Sequence, residues 1–141
     1  MAADPFTLTA HAREAIFEDM NLATDTFNMI LIGSTTNVTT STTYAGLTGE
    51  LSTANGYTNG GQACTVTCTY SGSTVTIDCS DETWTASGGS IVARYAALRN
   101  VTTGDMLGYI LLDNSPADVT TTDGNDLTIQ PNASGIKTFT F

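Results

Sequence analysis

Ser90–Asn100 (SIVARYAALRN) and Met106–Leu112 (MLGYILL) are the stretches that decide the fold. Both are short apolar runs bounded by Gly, Ser, Asn, Thr and Asp. Such runs read as strands, because branched and aromatic side chains fit a pleated, half-buried surface. Asn100–Asp105 (NVTTGD) between them is turn chemistry, which makes the two runs hairpin partners. Alternation along the first puts Val92, Arg94, Ala96 and Leu98 on one face, and Ile91, Ala93, Tyr95 and Ala97 on the other. Leu127–Gln130 (LTIQ) and Lys137–Phe141 (KTFTF) repeat the pattern around the turn Pro131–Gly135 (PNASG). The expectation is an all-β chain: an antiparallel β-sandwich or barrel, jelly-roll or Ig-like, with one N-terminal amphipathic helix.

Working outward, Thr26–Ile32 (TFNMILI) is apolar on both faces and reads as a central, doubly covered strand. The stretch from Gln62 to Cys79 registers as a hairpin. A two-residue turn at Gly72-Ser73 pairs Tyr70 with Val75, Cys68 with Ile77 and Val66 with Cys79, with glycine first as a type II′ turn requires. That register collects the apolar side chains on one face and the threonines on the other. Near the N-terminus, Leu8, Ala12, Ala15, Ile16 and Met20 recur at helical spacing opposite Arg13, Glu14 and Glu18. Residues 1–21 are therefore an arm and helix that lie on the sandwich or on a neighbour. Gly33–Thr43 (GSTTNVTTSTT) reads as an exposed edge or mobile loop, Asn55–Gly61 (NGYTNGG) as a turn-rich loop, and Asp113–Asp126 (DNSPADVTTTDGND) as the longest polar loop.

The chain of 141 residues is long enough for one domain with a real core, 1–141. Its formal charge is −10, and its only cations are Arg13, Arg94, Arg99 and Lys137. Four scattered cations make no phosphate-binding stripe, so no nucleic acid and no membrane surface is expected as a partner. The N-terminal segment lacks a basic start and an unbroken apolar run, unlike a secretory signal.

Cys64, Cys68 and Cys79 make an odd count. Four residues apart on one strand, Cys64 and Cys68 stand ~13 Å apart, beyond the span of a disulfide. All three are read as reduced, buried and small, with no metal and no cofactor. One histidine, His11, and no G-x-S-x-G elbow or phosphate loop leave little to build catalysis from. The chain is read as not an enzyme.

The remaining candidates are contact residues. Arg94, alone in the most apolar run, either pairs with a carboxylate or crosses a subunit interface. Trp84 is a core plug or an interface anchor. Phe6, Leu8, Arg99 and Tyr57 complete the interface candidates.

The order of motifs carries a likeness. After the N-terminal helix come NLATDTFNMILI (Asn21–Ile32), GYTNGG (Gly56–Gly61), a Trp after the acidic pair Asp81-Glu82, ARYAAL (Ala93–Leu98), LGYILL (Leu107–Leu112) and LTIQPNASGI (Leu127–Ile136). This resembles small tailed-bacteriophage virion proteins, most of all capsid decoration (cement) proteins. The resemblance implies a homotrimer that clamps the major capsid protein on the outer shell, assembled in the host bacterial cytoplasm. The alternative is a tail- or fibre-associated protein with a host-surface binding role, for which Tyr44, Tyr57 and Trp84 are the aromatics to follow.

Overall fold

The computed structural model describes residues 2–141, apart from the side chains of residues 10, 14 and 17. Glu14, assigned above to the polar helix face, thus lies outside the described side chains. In chain order the elements are β1 (Thr7–Leu8), α1 (Ala10–Glu18), β2 (Phe27–Ile32), β3 (Gln62–Cys64), β4 (Val66–Ser71), β5 (Thr74–Cys79) and β6 (Glu82–Thr85). They continue with β7 (Ile91–Ala93), β8 (Tyr95–Asn100), β9 (Met106–Leu111), β10 (Val119–Thr121), β11 (Asp126–Ile129) and β12 (Lys137–Thr140). The chain is all-β in character, and every strand pair is antiparallel.

The largest sheet has the order β1-β9-β8-β2-β3; a second runs β12-β5-β4, and β10-β7 and β11-β6 form two-stranded ribbons. β2 is central because both its faces are apolar. Phe27, Met29 and Leu31 enter the main core, while Ile30 and Ile32 enter a second cluster with Val38, Ala97 and Met106. Each such side chain, fully buried, contributes about 1.5–3 kcal/mol.

The second cluster is roofed by residues 33–49; the Gly33–Thr43 part of it is exposed at most positions, yet it closes over the cluster through Val38. Val38 is buried there, and Asn37 ties the segment together. Its side-chain amide donates to the Gly46 carbonyl at 2.8 Å, and its Oδ1 accepts the Thr48 N–H at 2.8 Å. Threonine and asparagine satisfy the backbone locally here, so a polar, low-complexity stretch still closes over apolar side chains.

Ser90–Asn100 is two strands rather than one. At Arg94 the backbone changes partner: its N–H donates to Ile32 O at 2.8 Å and its carbonyl accepts the Leu112 N–H at 3.0 Å. Beyond that point β7 pairs with β10, not with the large sheet. The handover shifts the alternation by one residue. Ile91 and Ala93 therefore share the main core with Ala96 and Leu98, and Val92 is exposed. The polar stretch 113–126 likewise contains β10 and the first residue of β11.

The β4–β5 hairpin has the register read from the sequence, with Val66↔Cys79, Cys68↔Ile77 and Tyr70↔Val75. Gly72 takes φ +58° and Ser73 has no positive φ, as a type II′ turn demands.

α1 begins at an N-cap, where Thr9 Oγ1 accepts the Ala12 N–H at 3.2 Å. Ala12 and Ala15 face the core, and Arg13 is exposed. Ahead of it the arm runs along β9, with Thr7 opposite Tyr109 and Leu8 opposite Gly108. Gly108 is obligatory for this seat: a Cβ there would stand 2.3 Å from Phe6 Cε1. Gly108→Val is expected to lift Phe6 and the arm and to cost about 1–3 kcal/mol, read as a lower urea midpoint with increased proteolysis within residues 2–9.

Candidate functional site: an apolar face on the C-terminal sheet

In the β12-β5-β4 sheet, cross-strand registration stacks side chains in rows. One row is Tyr70–Val75–Phe139 and the next is Cys68–Ile77–Lys137. Side chains of one row share a face, so three strands pool their apolar residues on one side. The opposite side carries Thr67, Thr69, Thr74, Thr76, Thr138 and Thr140. The apolar side looks toward the end of α1 across a groove of about 450 Å³ lined by Ile16, Leu22, Cys68, Val75, Phe139 and Phe141. It is only partly covered: Tyr70 is 84% exposed and Phe141 81%. Two large aromatics left in water on one sheet form the sort of apolar patch that marks a contact surface.

The interface candidates fall into three groups. Phe6 is half-buried and Leu8 buried, both in the arm beside β12. Arg94 is half-buried and pairs with a carboxylate, Nε to Asp118 Oδ1 at 2.7 Å. Arg99 lies over the Tyr44 ring at 3.8 Å, and its buried Nε has no hydrogen-bond partner among the described residues. Tyr57 and Trp84 go inside: they are 2% and 4% exposed and pack ring to ring at 6.2 Å. Neither offers surface to a partner, because the apolar area of both is spent in the main core. The structure brings Phe6 and Leu8 near the apolar face and leaves the other four elsewhere.

Two features escaped the sequence. Glu50 is the hub of a part-buried network. Oε1 accepts from Tyr57 OH at 2.7 Å and from the Gly60 N–H, and Oε2 accepts from Tyr44 OH at 2.6 Å. Burial and the hydrogen bond to Glu50 push both tyrosine hydroxyls upward in pKa. The second feature is the exposure of the outer hairpin itself. Nothing in its period-2 pattern distinguishes a sheet face that is covered from one that is bare. His11 Nε2 meets Asp105 Oδ1 at 3.2 Å, which ties α1 to the start of β9.

The cysteines divide in the same way. All three are free thiols; Cys79 is buried and Cys64 half-buried, but Cys68 is exposed, contrary to its reading as a core residue. It sits on the edge strand β4, on the open groove that faces the end of α1. Burial pushes the Cys64 and Cys79 thiols up to about 12. An alkylating reagent at pH 8 is therefore expected to modify Cys68 quickly and the other two only on unfolding, as intact-mass analysis would show. Because those two thiols and Tyr57 titrate higher when folded, their neutral forms favour the native state. The thiols' share is whole below their ordinary value of 9.0 and is lost as pH rises from there through about 12, while that of Tyr57 starts to be lost only above the ordinary phenol value of 10.0. Melts from pH 8 to 12 are expected to fall, less steeply in Cys64→Ala, Cys79→Ala.

Among the described residues no group of three His, Cys, Asp or Glu is placed to hold a metal ion, and no helix is long and apolar enough to cross a membrane. No protein-family model, curated protein or solved structure matches this chain.

Proposed function

We propose that this chain is a structural protein of a tailed-bacteriophage virion, a decoration protein that binds the outer shell and stabilises the head. The observation that carries the reading is the apolar face of β12-β5-β4, bare at Tyr70 and Phe141. We read the β1-β9-β8-β2-β3 sheet as one layer of a sandwich and the smaller sheets as the other, with the apolar face of β12-β5-β4 running from the core at Ile77 out to a bare end at Tyr70 and Phe141. A net charge of −10 keeps such a protein soluble until that face is covered.

Its action is mechanical. Several copies, joined as a homotrimer, each bury modest surface on the major capsid protein. The linked contacts hold with far higher avidity than one alone, and so resist pressure from within. The alternative, a tail- or fibre-associated protein that grips host carbohydrate, draws less support, since Tyr57 and Trp84 are in the core and Tyr44 lies under Arg99.

Co-sedimentation with DNA-free shells of the phage that encodes the chain tests the proposal. Saturable binding in a fixed ratio to coat subunits, weakened at least tenfold by Tyr70→Ser with Val75→Ser, is expected. Absence of binding to shells, with binding to tails instead, would overturn it.

A further inference from the structure

We propose that the groove between β1 and β12 is a strand-acceptor slot, which takes one extended, acidic segment of another protein and pairs it with both free edges at once. This goes beyond the virion reading and does not depend on it.

β1 is outermost in the five-stranded sheet and β12 outermost in the three-stranded one. The two face each other across a continuous groove, with stretches of about 560 and 690 Å³. Residues 3–8 line one wall and residues 134–141 the other. Among the described residues, no backbone hydrogen bond joins the two strands.

The backbone groups that look into the groove follow from the antiparallel pattern, in which alternate residues bond to the neighbouring strand. Thr9 N–H donates to Leu107 O and Thr7 lies opposite Tyr109, so Thr7 and Thr9 turn inward and Leu8 turns its N–H and C=O outward. Phe141 N–H donates to Ser73 O, so Phe141, Phe139 and Lys137 bond toward β5, while Thr138 and Thr140 bond outward. Each edge is thus a ready template for another strand. One strand spaced about 4.8 Å from each neighbour would bridge both. It would join the two sheets into one.

Charge states the chemistry of the occupant. Of the four cations, Arg94 is paired with Asp118 and Arg99 is stacked on Tyr44. The other two, Arg13 and Lys137, line the slot, are exposed, and make no ion pair among the described residues; Lys137 Nζ has only a distant ring neighbour, Phe139, at 6.0 Å. Asp4 lines the far stretch, but the stretch that holds Arg13 and Lys137 has no Asp or Glu side chain in its lining, and in a chain of −10 that local excess of positive charge selects carboxylates. Phe6, Ile110 and Phe139 offer apolar contact to alternate side chains. A second copy is the poorer occupant, because the described ends of this chain are already bonded to its own sheets. Ala2 O accepts from Asn114 N–H, Asp4 N–H donates to Leu111 O, and Phe141 N–H to Ser73 O.

The test pans a library of random displayed decapeptides against the full chain, with Thr138→Pro as counter-target. Thr138 does not bond to β5, so proline there removes a slot donor at a tolerated edge position. Unchanged Trp84 fluorescence confirms its fold. The expected winners carry alternating apolar residues with Asp or Glu. They bind Thr138→Pro and Arg13→Ala, Lys137→Ala at least tenfold more weakly. A winning peptide with alternate amides N-methylated is expected to lose binding to the unmodified chain, which keeps the test independent of any variant's folding. Winners that are basic or proline-rich, no enrichment over the counter-target, or binding that survives N-methylation would each overturn the slot. Self-association of the chain that disappears in Thr138→Pro would assign the slot to a second copy and overturn the proposal as well.

Discussion

Phe27→Ala is expected to destabilise the fold by about 3–5 kcal/mol, the largest effect of any single truncation considered. Phe27 is 2% exposed at the start of β2, between Asn100 of β8 and Cys64 of β3. It points into the main core from a central strand that has apolar clusters on both sides. Neither neighbouring strand can close on the space left, since both are held in register to β2. For a chain of this size such a loss lowers the melting temperature by roughly 8–16 °C. Trp84 remains as the fluorescence probe. A shift of only a degree or two would mean that β2 is not the centre of the fold.

Glu50→Ala comes next, at about 2–4 kcal/mol. The carboxylate accepts three hydrogen bonds, from Tyr44, Tyr57 and the Gly60 amide. Tyr57 OH in turn accepts the Leu31 N–H at 3.1 Å, so the network reaches the backbone of β2. Removing the acceptor strands hydroxyls that have already been withdrawn from water, and that costs more than the bonds themselves contribute. A double-mutant cycle with Tyr57→Phe is expected to give a coupling of about 1–2 kcal/mol in urea unfolding. Additive effects would show that Glu50 is held by the loop and not by Tyr57.

These two sites differ in how far the sequence announced them. Phe27 belongs to a run apolar at nearly every position, and such a run is a buried strand on any reading. The Gly72-Ser73 hairpin was equally legible, because only one turn length keeps Cys68, Tyr70, Val75 and Ile77 on one side. Glu50 left no local trace. Its partners lie 6, 7 and 10 residues away along a loop whose path is set by tertiary contacts.

The handover at Arg94 was invisible for a related reason. Periodicity counts residues, and a strand that changes sheets without a glycine or proline keeps its count while its faces exchange. The roof over Ile30 and Ile32 was hidden by its composition, since threonine and asparagine look like loop whether or not they bond to each other. Cys68 and Tyr70 show the same limit from the other side. Alternation grouped them correctly with Val75 and Ile77, but whether anything covers that group depends on the neighbouring layer. The bareness of this face became apparent only in three dimensions, and it is what directs the functional reading toward contact with other subunits.

Light scattering after size exclusion, on the wild-type chain and on Tyr70→Ser with Val75→Ser, tests that reading most directly. A stable trimer, three times the 14.7 kDa chain mass, that falls to monomer when the apolar face is made polar is expected. A wild-type chain that remains monomeric at every concentration, or a trimer indifferent to the two serines, would contradict it.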